Sequence, residues 1–341
     1  MKIHAATALA SSLLAATLAL AGCAADSPDV AEQSAANTEK NESCDTDAGA
    51  PNGEPKVPVV DACAAIPDGP ITPLRLGQPF LGSEDFAFDG RGNIVGKRGN
   101  AVVLINTQGG LTELAALPGQ VYGLRYHPNG SLVAAIPGAG KLVSVAPNGE
   151  VTDLATGLGT PNGVYVDFDG NVWVTEFGGS KVTKLGADGA RSVVVSGTDL
   201  AQAANGVVLD EAKRVLFYTE YAKGKIHRVA IDEPEAAPVL VATIPGAALD
   251  GITLDACGNV YAVDQGRSRV FRVRVGADGA ASAEPELLAT LPTNVANAQF
   301  GAGEGFDPEM LYVTGNPGTV YALPVGVRGA PVPTAPAKAA K

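Results

Sequence analysis

Six segments of the chain share one pattern of polar and apolar positions. In each segment a polar residue precedes four or five alternating apolar positions, then a tight turn rich in Asp, Gly or Asn, and then a second apolar run. Alternation of this kind, with turn residues about every eight to twelve positions, is typical of antiparallel β-strands. The pattern therefore predicts paired strands in each segment. The segments are residues 83–96, 122–135, 161–176, 204–220, 249–264 and 296–315.

One polar residue, here called the anchor, opens each segment at the same place in the pattern. Consecutive anchors are separated by 38, 40, 43, 45 and 47 residues, and these spacings are typical of four-stranded propeller blades. Most segments continue into a third strand and a looser fourth, whereas a β-sandwich would not explain six copies in register. The predicted fold class is all-β, a six-bladed β-propeller of four-stranded antiparallel blades. The anchors are Glu84, Tyr122, Asn162, Asn205, Asp250 and Asn297.

The propeller is predicted to occupy residues 68–330. Residues 70–79 precede the first blade, and we expect them to close the ring by pairing with the last blade, because closure removes exposed strand edges. Residues 331–341 are expected to form a disordered tail. We also expect no helix longer than two turns after residue 68, and we expect the single tryptophan, Trp173, to lie in the core.

Residues 1–22 resemble the signal peptide of a bacterial lipoprotein. Lys2 supplies a positive charge, residues 5–20 are apolar and uncharged, and Leu20-Ala21-Gly22-Cys23 matches a cleavage and lipidation motif. An ordinary signal peptide with an incidental cysteine is the alternative. The apolar run is shorter than the ~20 residues that span a bilayer. Residues 23–67 are rich in Ser, Asn, Asp, Glu and Pro and are expected to form a flexible tether.

Composition and charge narrow the classes of partner. The chain has 24 Lys and Arg against 36 Asp and Glu, for a formal net charge of −12, and no segment concentrates basic residues. Phosphate binding needs a basic surface, so no nucleic-acid partner is expected. A lipidated Cys23 would attach the protein to a membrane in the cell envelope, at the outer membrane or the periplasmic face where the source has two membranes. We expect a monomer.

Four cysteines occur, at positions 23, 44, 63 and 257. Outside the cytoplasm, the three that remain after lipidation of Cys23 are available for disulfide formation. Cys44 and Cys63 bracket a flexible segment, so their pairing is the preferred prediction, and pairing of Cys63 with Cys257 is the alternative. No CxxC or His/Cys cluster is present, which disfavours a structural zinc site.

The anchors are the candidate chemical groups. The innermost strand of a blade begins at one face of the propeller beside the central channel, so all six anchors are expected to point towards one axis. Two carboxylates and several amide oxygens would meet there, and hard oxygen ligands suit Ca²⁺, Mg²⁺ or Mn²⁺. In the alternative interpretation, the Asn-Gly and Asp-Gly pairs simply form loop turns. Three second strands end at the same face in acidic residues expected further from the axis, Glu176, Glu220 and Asp264.

Short motifs around the anchors carry a further signal. They are Ser83-Glu84-Asp85-Phe86-Ala87-Phe88-Asp89, Pro161-Asn162-Gly163, Ala204-Asn205-Gly206, Leu249-Asp250-Gly251, Phe300-Gly301 and Leu311-Tyr312-Val313-Thr314. In their order and spacing, these motifs resemble the senescence marker protein/gluconolactonase family of six-bladed propellers. The chain is less similar to the paraoxonase and strictosidine synthase-like propellers. The resemblance covers about residues 78–325.

Members of that family hydrolyse lactones or related esters at a divalent cation on the propeller axis. The resemblance therefore implies a lactone or ester substrate for this chain, and Ca²⁺ as the expected ion with Mg²⁺, Mn²⁺ and Zn²⁺ as alternatives. It implies that Asp250 is both a metal ligand and the general base. The implied metal ligands are Glu84, Asn162, Asn205 and Asp250, and the implied substrate contacts are Asn162, Tyr122 and Asn297.

Two residues depart from the family pattern. At the anchor occupied by Tyr122, the family pattern has no ligand residue rich in oxygen. Asp85 stands where gluconolactonase-like members often carry glycine. Asp85 is closer to the paraoxonase pattern, so the motifs leave the substrate class open.

Two classes of function remain. The first is a metal-dependent lactonase or esterase, and the second is a non-catalytic propeller scaffold that binds a protein or glycan at the cell envelope. A Ser-His-Asp hydrolase is disfavoured, because GxSxG is absent and no histidine falls at the axis in this register. The three histidines are His4, His127 and His227.

Overall fold

Six four-stranded antiparallel sheets make up the described part of this computed structural model, which comprises residues 63, 65–117, 119–233 and 236–336. Five sheets take their four strands in chain order, and the sixth combines the last three strands with the first. The innermost strand of each sheet contacts the innermost strands of its two neighbours, so the six strands form a closed ring. The predicted six-bladed β-propeller is confirmed.

The first three blades follow the first three sequence repeats. Blade 1 contains β2 (Phe86–Phe88), β3 (Asn93–Arg98), β4 (Ala101–Asn106) and β5 (Leu111–Ala116). Blade 2 contains β6 (Leu124–Tyr126), β7 (Leu132–Ile136), β8 (Lys141–Val145) and β9 (Val151–Ala155). Blade 3 contains β10 (Pro161–Val166), β11 (Val172–Glu176), β12 (Lys181–Leu185) and β13 (Arg191–Ser196).

The last three blades follow the other repeats. Blade 4 contains β14 (Ala204–Asp210), β15 (Val215–Glu220), β16 (Lys225–Ala230) and β17 (Val239–Thr243). Blade 5 contains β18 (Leu249–Leu254), β19 (Val260–Asp264), β20 (Arg269–Val273) and β21 (Glu286–Thr290). Blade 6 contains β22 (Asn297–Phe300), β23 (Met310–Thr314), β24 (Val320–Pro324) and β1 (Leu74–Gly77).

The ring closes through the N-terminal strand. β1 pairs antiparallel with β24, with Leu74 opposite Ala322, as expected for residues 70–79. Within a blade, burial decreases from the axis outwards. Every residue of β10 and β11 is buried, whereas most residues of β13 are exposed. The sequence reflects this gradient, because the first two strands of each repeat are the most regularly apolar.

Helical structure is confined to single turns. Helix α1 (Thr198–Ala201) has four residues, and two 3₁₀ turns span Pro137–Ala139 and Gln265–Arg267. The expectation of no helix longer than two turns therefore holds for the described part of the propeller. None of the helices in the described residues has the length and hydrophobicity needed to cross a membrane.

Aspartate residues fix the turns at the far face, where the innermost strands end. Asp167 accepts the backbone N–H of Asn171 at 2.7 Å and its side-chain amide at 2.8 Å. Trp173, 2% exposed and thus in the core as expected, donates its indole N–H to the same carboxylate at 3.1 Å. The same pairing occurs between Asp89 and Asn93 and between Asp255 and Asn259.

The preferred disulfide prediction, Cys44 with Cys63, is wrong. Cys63 forms a disulfide with Cys257, and their Cα atoms are 5.6 Å apart. The physical reason is ring closure, because the strand that completes blade 6 brings the residues before it next to blades 5 and 6. Ile66 is buried in the core shared by those two blades. Cys44 lies outside the described residues.

Residues on both sides of the predicted boundaries, 68 and 330, contact the blades. Ile66 is only 6% exposed, and near the C-terminus the backbone N–H of Ala335 donates to the carbonyl of Asp89 at 3.1 Å. Within residues 331–336, expected to begin a disordered tail, Ala335 therefore contacts blade 1, and Val332 packs against the core of blades 3 to 5. The predicted signal peptide, the lipidation site Cys23 and most of the predicted tether lie outside the described residues.

We predict that the Cys63–Cys257 disulfide contributes about 2–5 kcal/mol to the free energy of unfolding, because it closes a loop of 194 residues. Cys257→Ser should lower the denaturant midpoint in chemical unfolding, and a reducing agent should lower it in the wild type. Cys44→Ser is the matched control and should leave the midpoint unchanged. A loss of stability in Cys44→Ser equal to that in Cys257→Ser would contradict the assignment.

Candidate functional site at the near face

The anchors lie at the near face, which is defined here as the face where the innermost strands begin. Asn162, Asn205 and Asp250 are each the second residue of their strand, and Asn297 is the first residue of β22. All four are buried, with at most 7% of the residue exposed. The innermost strands contact one another around the axis, so the anchors are brought towards it as predicted from the repeat.

A bulge sets the direction of three anchors. In blade 3 the register shifts by one residue between Pro161, which pairs with Glu176, and Val164, which pairs with Val174. The same shift occurs at the anchors of blades 4 and 5. An extra residue in one strand changes the direction of the side chains beside it. The Asn-Gly and Asp-Gly pairs therefore lie in bulged strands, not in loop turns.

The glycines after the anchors allow the backbones of neighbouring blades to approach each other. A Cβ atom on Gly163 would overlap the carbonyl oxygen of Asn205, and one on Gly206 would overlap that of Asp250. Each glycine therefore lies against the next anchor around the ring, and no larger residue fits there without moving that anchor.

Threonines hold the same carbonyl groups in place. Thr219 Oγ1 accepts the N–H of Gly206 at 2.8 Å and donates to the carbonyl oxygen of Asp250 at 2.9 Å. Thr175 donates in the same way to the carbonyl oxygen of Asn205. Each threonine belongs to a second strand, so the second strand of one blade positions the anchor of the next blade.

Two anchor carboxylates lie close together without a basic partner. Burial raises the pKa of Asp250 well above its usual value, the negative charges of Glu84 and Asp85 raise it further, and a hydrogen bond with Asn205 opposes them. Burial also raises the pKa of Glu84, against a 2.9 Å hydrogen bond from Asn316. Among the described residues, neither Glu84 nor Asp250 forms an ion pair. The site therefore favours a proton or a cation.

Asp85 is neutralised instead by an arginine. Its carboxylate pairs with the Arg125 guanidinium and accepts the backbone N–H groups of Leu124 at 2.9 Å and Phe86 at 2.8 Å. Burial raises the pKa of Asp85, and Arg125 with these two N–H groups opposes the increase. Asp85, which departs from the gluconolactonase pattern, is therefore paired with an arginine of blade 2. Glu84 beside it has no basic partner among the described residues.

Two tyrosines lie near the unpaired carboxylates. Burial, followed by the charges of Glu84 and Asp250, raises the pKa of both Tyr122 and Tyr221. Tyr122 donates its hydroxyl to Gln120 at 2.8 Å. Tyr221 was not predicted from the sequence. The signal that could have found it is its position directly after Glu220, at the near-face end of a second strand.

The three acidic residues that end second strands fix the loops leading to the anchors. Each is fully buried and accepts a backbone N–H from the loop that precedes the innermost strand of its own blade. The pairs are Gly159 with Glu176 at 2.6 Å, Gln202 with Glu220 at 3.1 Å and Ala248 with Asp264 at 2.9 Å. Each acidic residue also has a cationic neighbour, so these side chains serve the structure of the loops.

The other predicted residues have different surroundings. Asn297 Oδ1 accepts the backbone N–H of Ala298 at 2.9 Å, so this oxygen is already engaged. His227 lies within 2.9 Å of Glu220, and His127 contacts the Gly170 carbonyl, so both histidines bond away from the anchors as expected.

The oxygen set is compatible with a hard cation. Among the described residues, no cluster of three or more His, Cys, Asp or Glu side chains has metal-binding geometry. The anchors instead offer two carboxylates, Glu84 and Asp250, with the amide oxygens of Asn162 and Asn205. Mixed carboxylate and amide oxygens are ligands that Ca²⁺ accepts. Two unneutralised carboxylates in one buried site match a divalent charge.

A cavity of about 320 Å³ lies at the far face and is separate from the anchors. Its lining includes Phe168, Leu209, Leu254 and Pro331. None of the anchor residues lines this cavity, so its apolar chemistry carries no information about the near-face site.

Solved structures with this fold include gluconolactonase-like propellers. A gluconolactonase from Xanthomonas campestris aligns with a TM-score of 0.64 at 20% sequence identity, over 77% of this chain and 93% of that protein. The calcium-binding protein regucalcin from Agrobacterium tumefaciens gives 0.63 at 18% identity, over 78% and 98%. Virginiamycin B lyase from Staphylococcus aureus gives 0.57 at 14% identity, over 74% and 99%.

These similarities confirm the expected resemblance at the level of the fold. The chain has the architecture of the gluconolactonase-like six-bladed propellers, and the weaker similarity to a lyase shows that a related fold also occurs in a protein with a different reaction. No protein-family model matches the sequence, and no curated protein matches it at a significant level.

We predict that Gly206→Ala lowers the free energy of unfolding by about 1–3 kcal/mol, the usual effect of overpacking, because the new methyl group displaces the Asp250 backbone. Gly138→Ala is the control, since a Cβ there meets no atom within 4 Å. It should change stability by less than about 0.5 kcal/mol. Chemical denaturation measures both values, and equal effects would contradict the close approach.

We predict that Asp250→Asn stabilises the protein in the presence of a chelator at pH 7. Because the folded state raises the pKa of Asp250, the wild type is most stable below the unfolded pKa and loses stability as the pH rises towards the folded value. The gain should therefore be present at pH 7, diminish as the pH falls, and vanish near pH 4, where the carboxyl is protonated in the unfolded state as well.

Asp188→Asn, in an exposed far-face turn, is the control for this pH series and should follow the wild type throughout. Thermal melting at several pH values measures the differences. An Asp250→Asn variant that is less stable than the wild type at pH 7 under chelation would contradict the unpaired state of this carboxylate.

Proposed function

We propose that the protein is a divalent-metal-dependent hydrolase of lactones or related esters. The observation that carries the proposal is the pair Glu84 and Asp250, two neighbouring carboxylates without a basic partner at the axis, with the Asn205 amide hydrogen-bonded to Asp250. The fold shared with a gluconolactonase and with a calcium-binding regucalcin supports the same reaction class and the same kind of ion.

Glu84, Asn162, Asn205 and Asp250 would hold the cation, with Ca²⁺ as the preferred ion because all four side chains offer oxygen. A bound divalent ion would supply Lewis acidity that polarises an ester carbonyl and lowers the pKa of water. Burial of Asn162, Asn205 and Asp250 strengthens electrostatic interactions at these side chains.

Asp250 would act as the base. Its carboxylate accepts a proton from the water that adds to the carbonyl carbon, and the same proton passes to the alkoxide oxygen when the C–O ester bond breaks. Tyr122, whose ring lies near both carboxylates, would position the substrate at the mouth of the site together with Asn162 and Asn297.

Lipid anchoring at Cys23 belongs to the same proposal and is supported by the motif Leu20-Ala21-Gly22-Cys23. Cys257 lies in the far-face turn between β18 and β19, so the disulfide with Cys63 joins the preceding chain to the far face.

We predict that Ca²⁺ added after chelation raises the melting temperature of the wild type and restores hydrolysis of a lactone. At a concentration about 100 times its Kd, the ion should stabilise the fold by about 2.7 kcal/mol. Asp250→Asn should lower kcat by about 100-fold or more while the fold is retained, since general bases contribute about 10²–10⁴. Calorimetry and a panel of sugar, alkyl and aryl lactones provide the measurements.

Asp188→Asn serves as the control and should retain wild-type turnover. Full activity in Asp250→Asn would show that this residue is not the base. If the wild type shows neither stabilisation by a divalent ion nor turnover of any lactone or ester, the hydrolase proposal is wrong and the non-catalytic scaffold is favoured instead.

A further inference from the structure

We propose that Phe177 and Tyr221, here called the aromatic wall, form a recognition surface for a planar apolar substituent on a neutral lactone or ester. The inference rests on the proposed function, because it concerns the substrate of the same near-face site.

The wall stands beside the unpaired carboxylates. Phe177 and Tyr221 directly follow Glu176 and Glu220, which end the second strands of blades 3 and 4 at the near face. The two rings contact each other edge to face, with centroids 5.8 Å apart. The Tyr221 carbonyl accepts the backbone N–H of Leu249 at 3.1 Å, and Leu249 directly precedes Asp250. Burial, followed by the negative charge of Asp250, raises the pKa of Tyr221.

The rings are not part of the blade cores. Both residues are half-buried, and neither is among the buried apolar residues that fill blades 3 and 4. An aromatic ring whose burial is incomplete at the mouth of a polar site offers a flat apolar face to a ligand. The wall therefore provides apolar area where the anchors provide only oxygen atoms.

Strained backbone holds the wall in position. The N–H of Phe177 donates to the carbonyl of Thr160 at 3.0 Å, and that of Tyr221 donates to the carbonyl of Ala203 at 3.2 Å. Thr160 and Ala203 have φ values of +56° and +50°, in the left-handed region that non-glycine residues rarely adopt. Such strain accumulates at binding sites, where the surrounding structure enforces it. Blades 3 and 4 therefore have the same arrangement, a backbone hydrogen bond from the aromatic residue to a residue with positive φ.

The hydroxyl of the wall is already satisfied. Tyr221 donates to Gln265 Oε1 at 2.5 Å, and the Gln265 carbonyl accepts from Asn294 at 3.0 Å, so the tyrosine is linked to blade 5 and to the loop before blade 6. The ring is thereby fixed in one orientation, and its face, not its hydroxyl, is available to a substrate. A preorganised ring loses little conformational entropy on binding.

The charges around the wall favour a neutral ligand. Four cationic side chains of blades 3 to 5 are paired with second-strand carboxylates, and the unpaired charges of Glu84 and Asp250 are negative. The committed pairs are Lys181 and Arg191 with Glu176, Lys223 with Glu220, and Arg269 with Asp264. The unpaired carboxylates would therefore repel an anionic substituent at the wall.

The test compares δ-valerolactone with the same lactone carrying a phenyl substituent, in the Ca²⁺-loaded full chain. The wild type should show a KM at least tenfold lower for the phenyl lactone. Phe177→Ala should raise that KM at least tenfold and raise the KM of the unsubstituted lactone less than threefold. Phe177→Leu, which keeps apolar volume but loses the aromatic face, should have an intermediate effect and is the variant of choice if alanine impairs folding.

Phe168→Ala is the matched control, since this ring is 51% exposed at the far face. It should leave both KM values unchanged. Hydrolysis of the two lactones with equal KM, or an equal effect of Phe177→Ala on both, would overturn the wall while leaving the hydrolase intact.

Calorimetric binding of the corresponding phenyl-substituted lactam separates the two proposals, because a lactam resists hydrolysis. One outcome is that no lactone is hydrolysed but the lactam binds, and that Phe177→Ala weakens this binding at least tenfold. This result would support the aromatic wall as a recognition surface and contradict the hydrolase proposal. If the wild type neither hydrolyses the lactones nor binds the lactam, both are overturned.

Discussion

The close approach of six innermost strands around one axis is the constraint on which the rest of the structure depends. Between Gly206 and the carbonyl of Asp250 there is no room for a Cβ atom, and Thr219 bridges the same two backbones by hydrogen bonds. A strand held this closely to its neighbour has little freedom to turn its first residues. The bulge then directs the anchor side chain towards the axis, so packing fixes the geometry of the polar site.

That geometry has an electrostatic consequence, which two adjacent residues illustrate. Asp85 is fully buried but pairs with Arg125, whereas Glu84 and Asp250 have only amide partners. In a buried ion pair the two charges neutralise each other. Two unneutralised carboxylates instead raise each other's pKa, and a cation that binds between them stabilises the folded protein. Two adjacent residues just before the innermost strand of blade 1 therefore differ in role, one as a structural carboxylate and the other as a candidate ligand.

The sequence predicted the parts of the structure that are local and repeated. Each blade encodes its own alternation, so the six anchors could be placed at one face from their spacing alone. The disulfide is different, because Cys63 and Cys257 are 194 residues apart and their proximity follows from ring closure. Tyr221 was missed because an aromatic residue at a strand end is usually part of the core.

The far face of the propeller contributes to the stability of the fold, and the near face carries the candidate reactive groups. At the far face, Asp89, Asp167 and Asp255 satisfy their turns with hydrogen bonds, and the disulfide ties the chain to one of these turns. At the near face lie the unpaired carboxylates and four of the five described non-glycine residues with positive φ, namely Thr160, Ser180, Ala203 and Ser268. Strain and unneutralised charge destabilise a fold and persist only where the surrounding structure offsets them. The well-satisfied turns and the dense packing between blades offset them here, which is why the polar site can remain poised for a ligand.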